Sequence, residues 1–157
     1  MTIAYEHTLD VPAAPATVFA ILDDVERTPE WLTRCVAMEK LSTGPTDVGT
    51  KLRYAFRDAS RDGVMDGEVT AHEPNARLTM RFEDAQMNAV VDFRAVAAGE
   101  GATRLTHSIE LTPKTLAGKL FAPLIRRKLP VQTIHAMEAL RSLSVPHDHA
   151  PADVIHG

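Results

Sequence analysis

The sequence predicts a single α+β domain, and three observations carry that prediction. The amino-terminal residues alternate apolar and polar, as a half-buried strand does. The central stretch is a series of further strand-like runs cut by Gly, Pro, Asn and Asp turn signals, the mark of an antiparallel meander. From Thr115 to Ser144 the alternation stops and apolar residues fall three or four apart, which is helical spacing. At 157 residues the chain has a single-domain length, long enough to bury about 68–70% of its unfolded surface. The domain is expected over 1–145. The remainder, 146–157, holds Pro146 and Pro151, little periodicity and scattered charge, and is expected to be a disordered tail.

The first strand, "TIAYEHTLDV", puts Ile3, Tyr5, His7, Leu9 and Val11 on one face and Thr2, Glu6, Thr8 and Asp10 on the other. In "PATVFAILDD", Val18, Phe19, Ile21 and Leu22 repeat at helical spacing, and Pro15 suits a first turn. A second short helix or turn is expected from Val25 to about Thr33, containing Pro29, Glu30 and the lone Trp31. Six strands follow. "CVAMEKLST" ends at Gly44-Pro45, and "TKLRYAFRDA" ends at "SRDG", where Asp62-Gly63 reads as a hairpin turn. "VMDGEVTAHE" ends at Pro74-Asn75, "RLTMRFED" comes next, and "QMNAVVDFRAVA" and "TRLTHSIELTP" are parted by Gly99-Glu100-Gly101. In the terminal segment Leu116, Leu120 and Leu124, then Val131, Ile134 and Met137, mark the apolar stripe. Pro123 and Pro130 interrupt it, since an internal proline removes a hydrogen bond and clashes with the preceding turn. A short turn to Phe121, a helix from about Pro123 and a kink at Pro130 are therefore expected.

Composition narrows the function. The net charge of −4 argues against a nucleic-acid partner, whose phosphates demand a basic face. No run of about 18 apolar residues exists, so no stable membrane insertion is expected. The start "MTIAYEHTLD" lacks the basic and apolar regions of a signal peptide, and the single cysteine, Cys35, cannot close an internal disulfide. The expected compartment is the cytoplasm, and the expected state a monomer or homodimer. There is no glycine-rich phosphate loop, HExxH, GxSxG or CxxC, so no cofactor and no metal are expected. Cys35 has no evident activating neighbour.

The order of strand, two short helices, six strands and a long terminal helix is distinctive. Three stretches add to it: "VPAAPATVFAILDDVERTPEWL" with Pro29 and Trp31, the Gly49-Thr50 entry to the third strand, and "LTPKTLAGKLFAPLIRRKL" leading into the last helix. Over residues 2–144 the chain resembles the START-like or SRPBCC superfamily, the helix-grip fold of polyketide cyclases, lipid-transfer domains and the birch-pollen allergen. The resemblance implies a seven-stranded curved antiparallel sheet around the long C-terminal helix, with an elongated apolar cavity between them. It also implies a hydrophobic small-molecule partner such as a lipid, quinone or polyketide-like compound. A polyketide cyclase or aromatase, and a ligand-free interaction or stress-response module, are the alternatives. On that scaffold Trp31 either plugs the open end of the sheet or packs against Phe19.

Tyr54, Phe56, Met80, Phe82, Met87, Val91 and Phe93 fall on inner faces and either line a pocket or fill a core. The expected ligand-binding set is Tyr54, Phe56, Met80, Phe82, Val91 and His107, with Leu120, Leu124 and Arg127 from the helical end. Arg127 would hold a ligand carboxylate at the cavity mouth. His7 and His107 each sit among apolar residues of their strands; on neighbouring first and last strands the two imidazoles would meet. They are the candidate catalytic pair, suited to proton transfer in an aldol cyclisation or dehydration, and otherwise a structural pair. Two histidines without a third ligand make a poor zinc site. Asp66 and Glu68 share one strand face; Met65 and Val69 fit the inward positions better. Lys114, Lys119, Arg126, Arg127 and Lys128 form either a solvated helix face or a surface for transient contact with an anionic membrane. His147, His149 and His156 are expected to be solvated.

Overall fold

The computed structural model describes residues 1–58 and 61–145; the expected tail and its three histidines lie outside them. The elements run β1 (Ile3–Val11), α1 (Pro15–Leu22), a 3-10 helix (Val25–Glu30), β2 (Cys35–Lys40), β3 (Lys51–Arg57), β4 (Asp62–Glu73), β5 (Arg77–Glu83), β6 (Met87–Ala97) and β7 (Thr103–Pro113). They end with α2 (Leu116–Leu120) and α3 (Ala122–Ser144). The strands form one 7-stranded antiparallel sheet in the order β1-β7-β6-β5-β4-β3-β2. Strands β2 to β7 pair in chain order, and β1 closes on β7. No helix of the described residues is long and apolar enough to cross a membrane.

Local chemistry accounts for most boundaries. Along β1, Ile3 and Val11 are buried, Tyr5, His7 and Leu9 half-buried, and every residue between them is exposed. Pro15 opens α1, where its missing N–H has no intrahelical partner to lose. Gly49 takes a φ of 91°, which a side chain would oppose, and donates its N–H to the Val69 carbonyl at 2.9 Å, setting the entry to β3.

The turn between β3 and β4 differs from the sequence reading. Asp62 and Gly63 are the first rungs of β4, paired with Arg57 and Phe56. The turn closes one step earlier, where Asp58 N–H donates to the Arg61 carbonyl at 3.0 Å and Asp58 Oδ1 accepts from Arg61 N–H at 3.1 Å. Gly63 is there for space: a Cβ would lie 2.5 Å from Phe56 Cζ.

The terminal helix also differs. Its buried residues are Ala122, Leu129, Thr133, Ala136, Met137, Leu140 and Ser144. Of the expected stripe, Leu116, Leu120, Leu124 and Val131 stand 76%, 73%, 45% and 69% exposed. Two physical reasons explain the reversal. Small residues such as Ala122, Thr133 and Ala136 let the helix backbone come close to the sheet. In addition, α2 ends at Leu120 and Phe121 caps both helices, so spacing carried across that break lands on the wrong face. Pro123 sits in the first turn of α3, and Pro130 lies inside the helix, which continues to Ser144.

The apolar interior divides into two clusters. The larger joins Phe19, Trp31, Phe56, Phe82, Phe93, Leu105, Met137 and Leu140 with their neighbours. The smaller holds Ile3, Ala122 and Leu129, with Tyr5, Ile109, Leu111 and Ile125 packed beside them.

Candidate functional site

Cross-strand register puts the relevant side chains on the concave face in rows. One row runs Val69, Met80, Val91, Ile109, Tyr5, and the next runs Leu78, Phe93, His107, His7. Val69, Met80, Leu78 and Phe93 are buried. Val91, Ile109, Tyr5 and His7 are only half-buried, although they stand in mid-strand on the face that α3 covers. A side chain there keeps solvent contact only where its cover leaves room. Met87, Leu111 and Tyr54 share this half-buried state.

The β3–β5 end is aromatic. The Tyr54 ring lies 5.6 Å from Phe56 at 29° and 5.6 Å from Phe82 at 57°. Gly67 makes this possible, since a Cβ there would lie 2.4 Å from the Phe82 ring. Burial pushes the Tyr54 hydroxyl up to about 12, so it stays protonated and can donate. Beside it, Arg34 ties three elements together. Its Nη1 donates to Gln132 Oε1 of α3 at 3.1 Å, its Nη2 lies 3.7 Å from Asp58 Oδ2, and its guanidinium stands 5.9 Å from the Phe56 ring centre. Arg34 Nε and Trp31 Nε1 are buried donors without a partner among the described residues.

His7 and His107 are direct cross-strand partners in the backbone register, with the His7 ring beside Tyr5 and the His107 ring on Phe93. His107 is buried and stacks on Phe93 at 4.2 Å and 16°; Phe93 in turn receives Trp31 edge-on at 5.7 Å and 90°. Trp31 therefore packs on Phe93 as part of the main core. His107 Nδ1 lies 3.3 Å from the Asp92 carbonyl oxygen, which selects the tautomer that donates from Nδ1 and leaves Nε2 as an acceptor. On the outer face, Thr79 Oγ1 at 2.6 Å, Arg77 Nε at 3.1 Å and Arg94 Nε at 3.0 Å hold the Asp92 carboxylate and fix that carbonyl. Burial pulls the His107 pKa down to about 4, against the pull of the Asp92 carbonyl, so the ring is neutral near pH 7. His7 lies parallel to Tyr5 at 6.4 Å.

The remaining candidates fall elsewhere. Met65 and Val69 face inward, whereas Asp66 is exposed and Glu68 pairs with Lys51 at 2.8 Å, which holds its carboxyl below the usual range. Cys35 is buried, and its thiol is pushed up to about 11, so it is no nucleophile. Leu120, Leu124 and Arg127 are not on the concave face: Leu120 ends α2, and the other two lie on the outer side of α3. Leu124, Arg127, Lys128, Val131 and Gln132 line an open cleft of about 380 Å³ there. Arg34, Gln132, Tyr5 and Ile109 were missed as site residues. The alternation that places Tyr5 and Ile109 is plain in the sequence. The Arg34–Gln132 bond, spanning 98 positions, leaves no local signal.

Comparison with known proteins bears on this arrangement. The family model described as "Polyketide cyclase / dehydrase and lipid transport" matches residues 2–136. An uncharacterized protein of Mycobacterium tuberculosis is 30% identical over 123 residues, covering 76% of this chain and 67% of the relative. Among solved structures, an aromatase/cyclase from Streptomyces sp. R1128 superposes with a TM-score of 0.76 at 17% identity, over 92% of this chain and 94% of the other. A START superfamily protein from Mycobacterium smegmatis gives 0.74 at 19%, over 88% and 94%. A truncated norcoclaurine synthase from Thalictrum flavum gives 0.69 at 16%, over 94% and 96%. At such identities these structural likenesses speak to the fold alone.

Proposed function

Because the chain belongs to the polyketide cyclase / dehydrase and lipid transport family, we propose that it encloses a hydrophobic small molecule between the concave face of the sheet and α3. A lipid, quinone or polyketide-like compound fits this chemistry. The observation that carries the reading is the half-buried row of Tyr5, Ile109 and Val91 under the helix. Burial of apolar ligand surface there supplies affinity at about 25 cal/mol per Å². The Tyr54 hydroxyl, the neutral His107 ring and the unpaired Trp31 and Arg34 donors are the polar groups that orient the guest. Native mass spectrometry of the purified protein, followed by organic extraction, tests this. A co-purifying hydrophobe is expected, and Val91→Trp is expected to abolish it in a protein that still melts cooperatively. A wild-type chain that is empty, and whose melting long-chain lipids and quinones leave unchanged, would count against carriage.

The facing histidines favour a second reading, a polyketide cyclase. There His7 works as the proton acceptor, and the neutral His107 ring, donating from Nδ1 to the Asp92 carbonyl, turns Nε2 to the substrate as a hydrogen-bond acceptor. His7→Gln and His107→Gln should then abolish turnover of a linear poly-β-ketone while leaving its affinity unchanged; equal loss of both would refute the assignment.

A further inference from the structure

We propose that the α2–α3 face docks on a membrane surface that carries anionic lipid. From Glu110 to Glu138 the chain contains no acidic residue between those two, whereas Lys114, Lys119, Arg126, Arg127 and Lys128 crowd together, in a protein whose net charge is −4. Among the described residues, Lys114 meets Glu83 at 3.7 Å, while Lys119, Arg126, Arg127 and Lys128 join no ion pair.

Between these charges stand Leu116, Leu120, Leu124, Val131 and Phe121, the last 61% exposed. Folding uses the opposite side of α3, through Leu129, Thr133 and Met137, the side to which helical spacing also assigns the exposed Arg126; Leu124, Arg127, Lys128 and Val131 stay on the outer side, and nothing in the described chain covers them. Charge chooses the occupant. A second copy would bring two positive faces together. A nucleic-acid backbone would satisfy the bases and leave the leucines and Phe121 in water. The boundary between headgroups and acyl chains accepts both, with lipid phosphates around the bases and apolar side chains beneath. Docking requires only this face, so it goes beyond the cavity reading and stands even if the interior carries nothing.

Co-sedimentation of the full chain with phosphatidylcholine vesicles, with and without phosphatidylglycerol, tests the proposal. Binding is expected only to the vesicles containing phosphatidylglycerol, and raised salt should weaken it. Arg127→Gln/Lys128→Gln should lower the partition on the order of thirtyfold, and Leu120→Ser/Phe121→Ser should also lower it, both with unchanged melting. If the charge variant melts early, the salt titration of the unaltered chain reads the same dependence. Absence of binding to the anionic vesicles, or binding that neither variant weakens, overturns the proposal. So does retention on duplex DNA or self-association that the same substitutions abolish.

Discussion

The two halves of α3 share one backbone but bury their surroundings differently. The carboxy-terminal half turns Thr133, Ala136, Met137 and Leu140 into the main core with Phe19 and Leu105. The amino-terminal half contributes Ala122 and Leu129, with Ile125 beside them, to a small cluster over half-buried Tyr5 and Ile109, and leaves Leu124 and Val131 outside. One half holds the fold. The other is spared from that task, and both the candidate cavity and the basic apolar face lie beside it.

The widest gap between the halves is expected at Leu140, which is fully buried. Leu140→Ala should cost about 2–5 kcal/mol of unfolding free energy in urea titration, through lost burial and the void left behind. A much smaller loss would mean that the packed half is as loose as the open one. Gly67→Ala probes the aromatic corner, where the new methyl meets the Phe82 ring. Overpacking of this kind costs about 1–3 kcal/mol, and the displaced ring should perturb Tyr54 and any guest beside it, visible in near-ultraviolet circular dichroism.

His107 stands on the row that joins the two regions, and pH isolates it. Its folded pKa of about 4 lies below the ordinary 6.5, so the unfolded chain takes up the proton first as pH falls. The stability tied to this ring is complete above about pH 6.5 and is lost as pH drops toward 4. Between pH 7.5 and 5 the native protein should lose about 2 kcal/mol that His107→Gln does not lose. Parallel curves for the two proteins would show that the imidazole is hydrated and that the space reaches through to Phe93.

How much of this was legible follows the range of the interactions. Alternation is a local property, so Ile3 to Val11, the β5 pattern and the inward choice of Met65 and Val69 over Asp66 and Glu68 could be read directly. The facing of His7 and His107 followed from element order through the family resemblance. Three features were not local. Gly63 looks like a turn residue until Phe56 is placed above it. The helix's buried face depends on where Phe121 breaks the chain and on how closely Ala136 can approach the sheet. The Arg34–Gln132 bond exists only once α3 has docked. Hydrophobic spacing identified the helix correctly but, Met137 apart, not its inner side, because leucines retained for an outside surface carry the same period as leucines retained for a core.

That ambiguity sets the smallest and most discriminating prediction. Val131 is 69% exposed, so Val131→Ser should change unfolding free energy by no more than about 0.5 kcal/mol in urea titration. A residue selected for the core would not tolerate the change, and an exposed valine without a role would show no other effect. If Val131 serves the outer face, vesicle binding falls while stability holds. The pair of measurements separates the two uses of an apolar residue that its position in the sequence leaves identical.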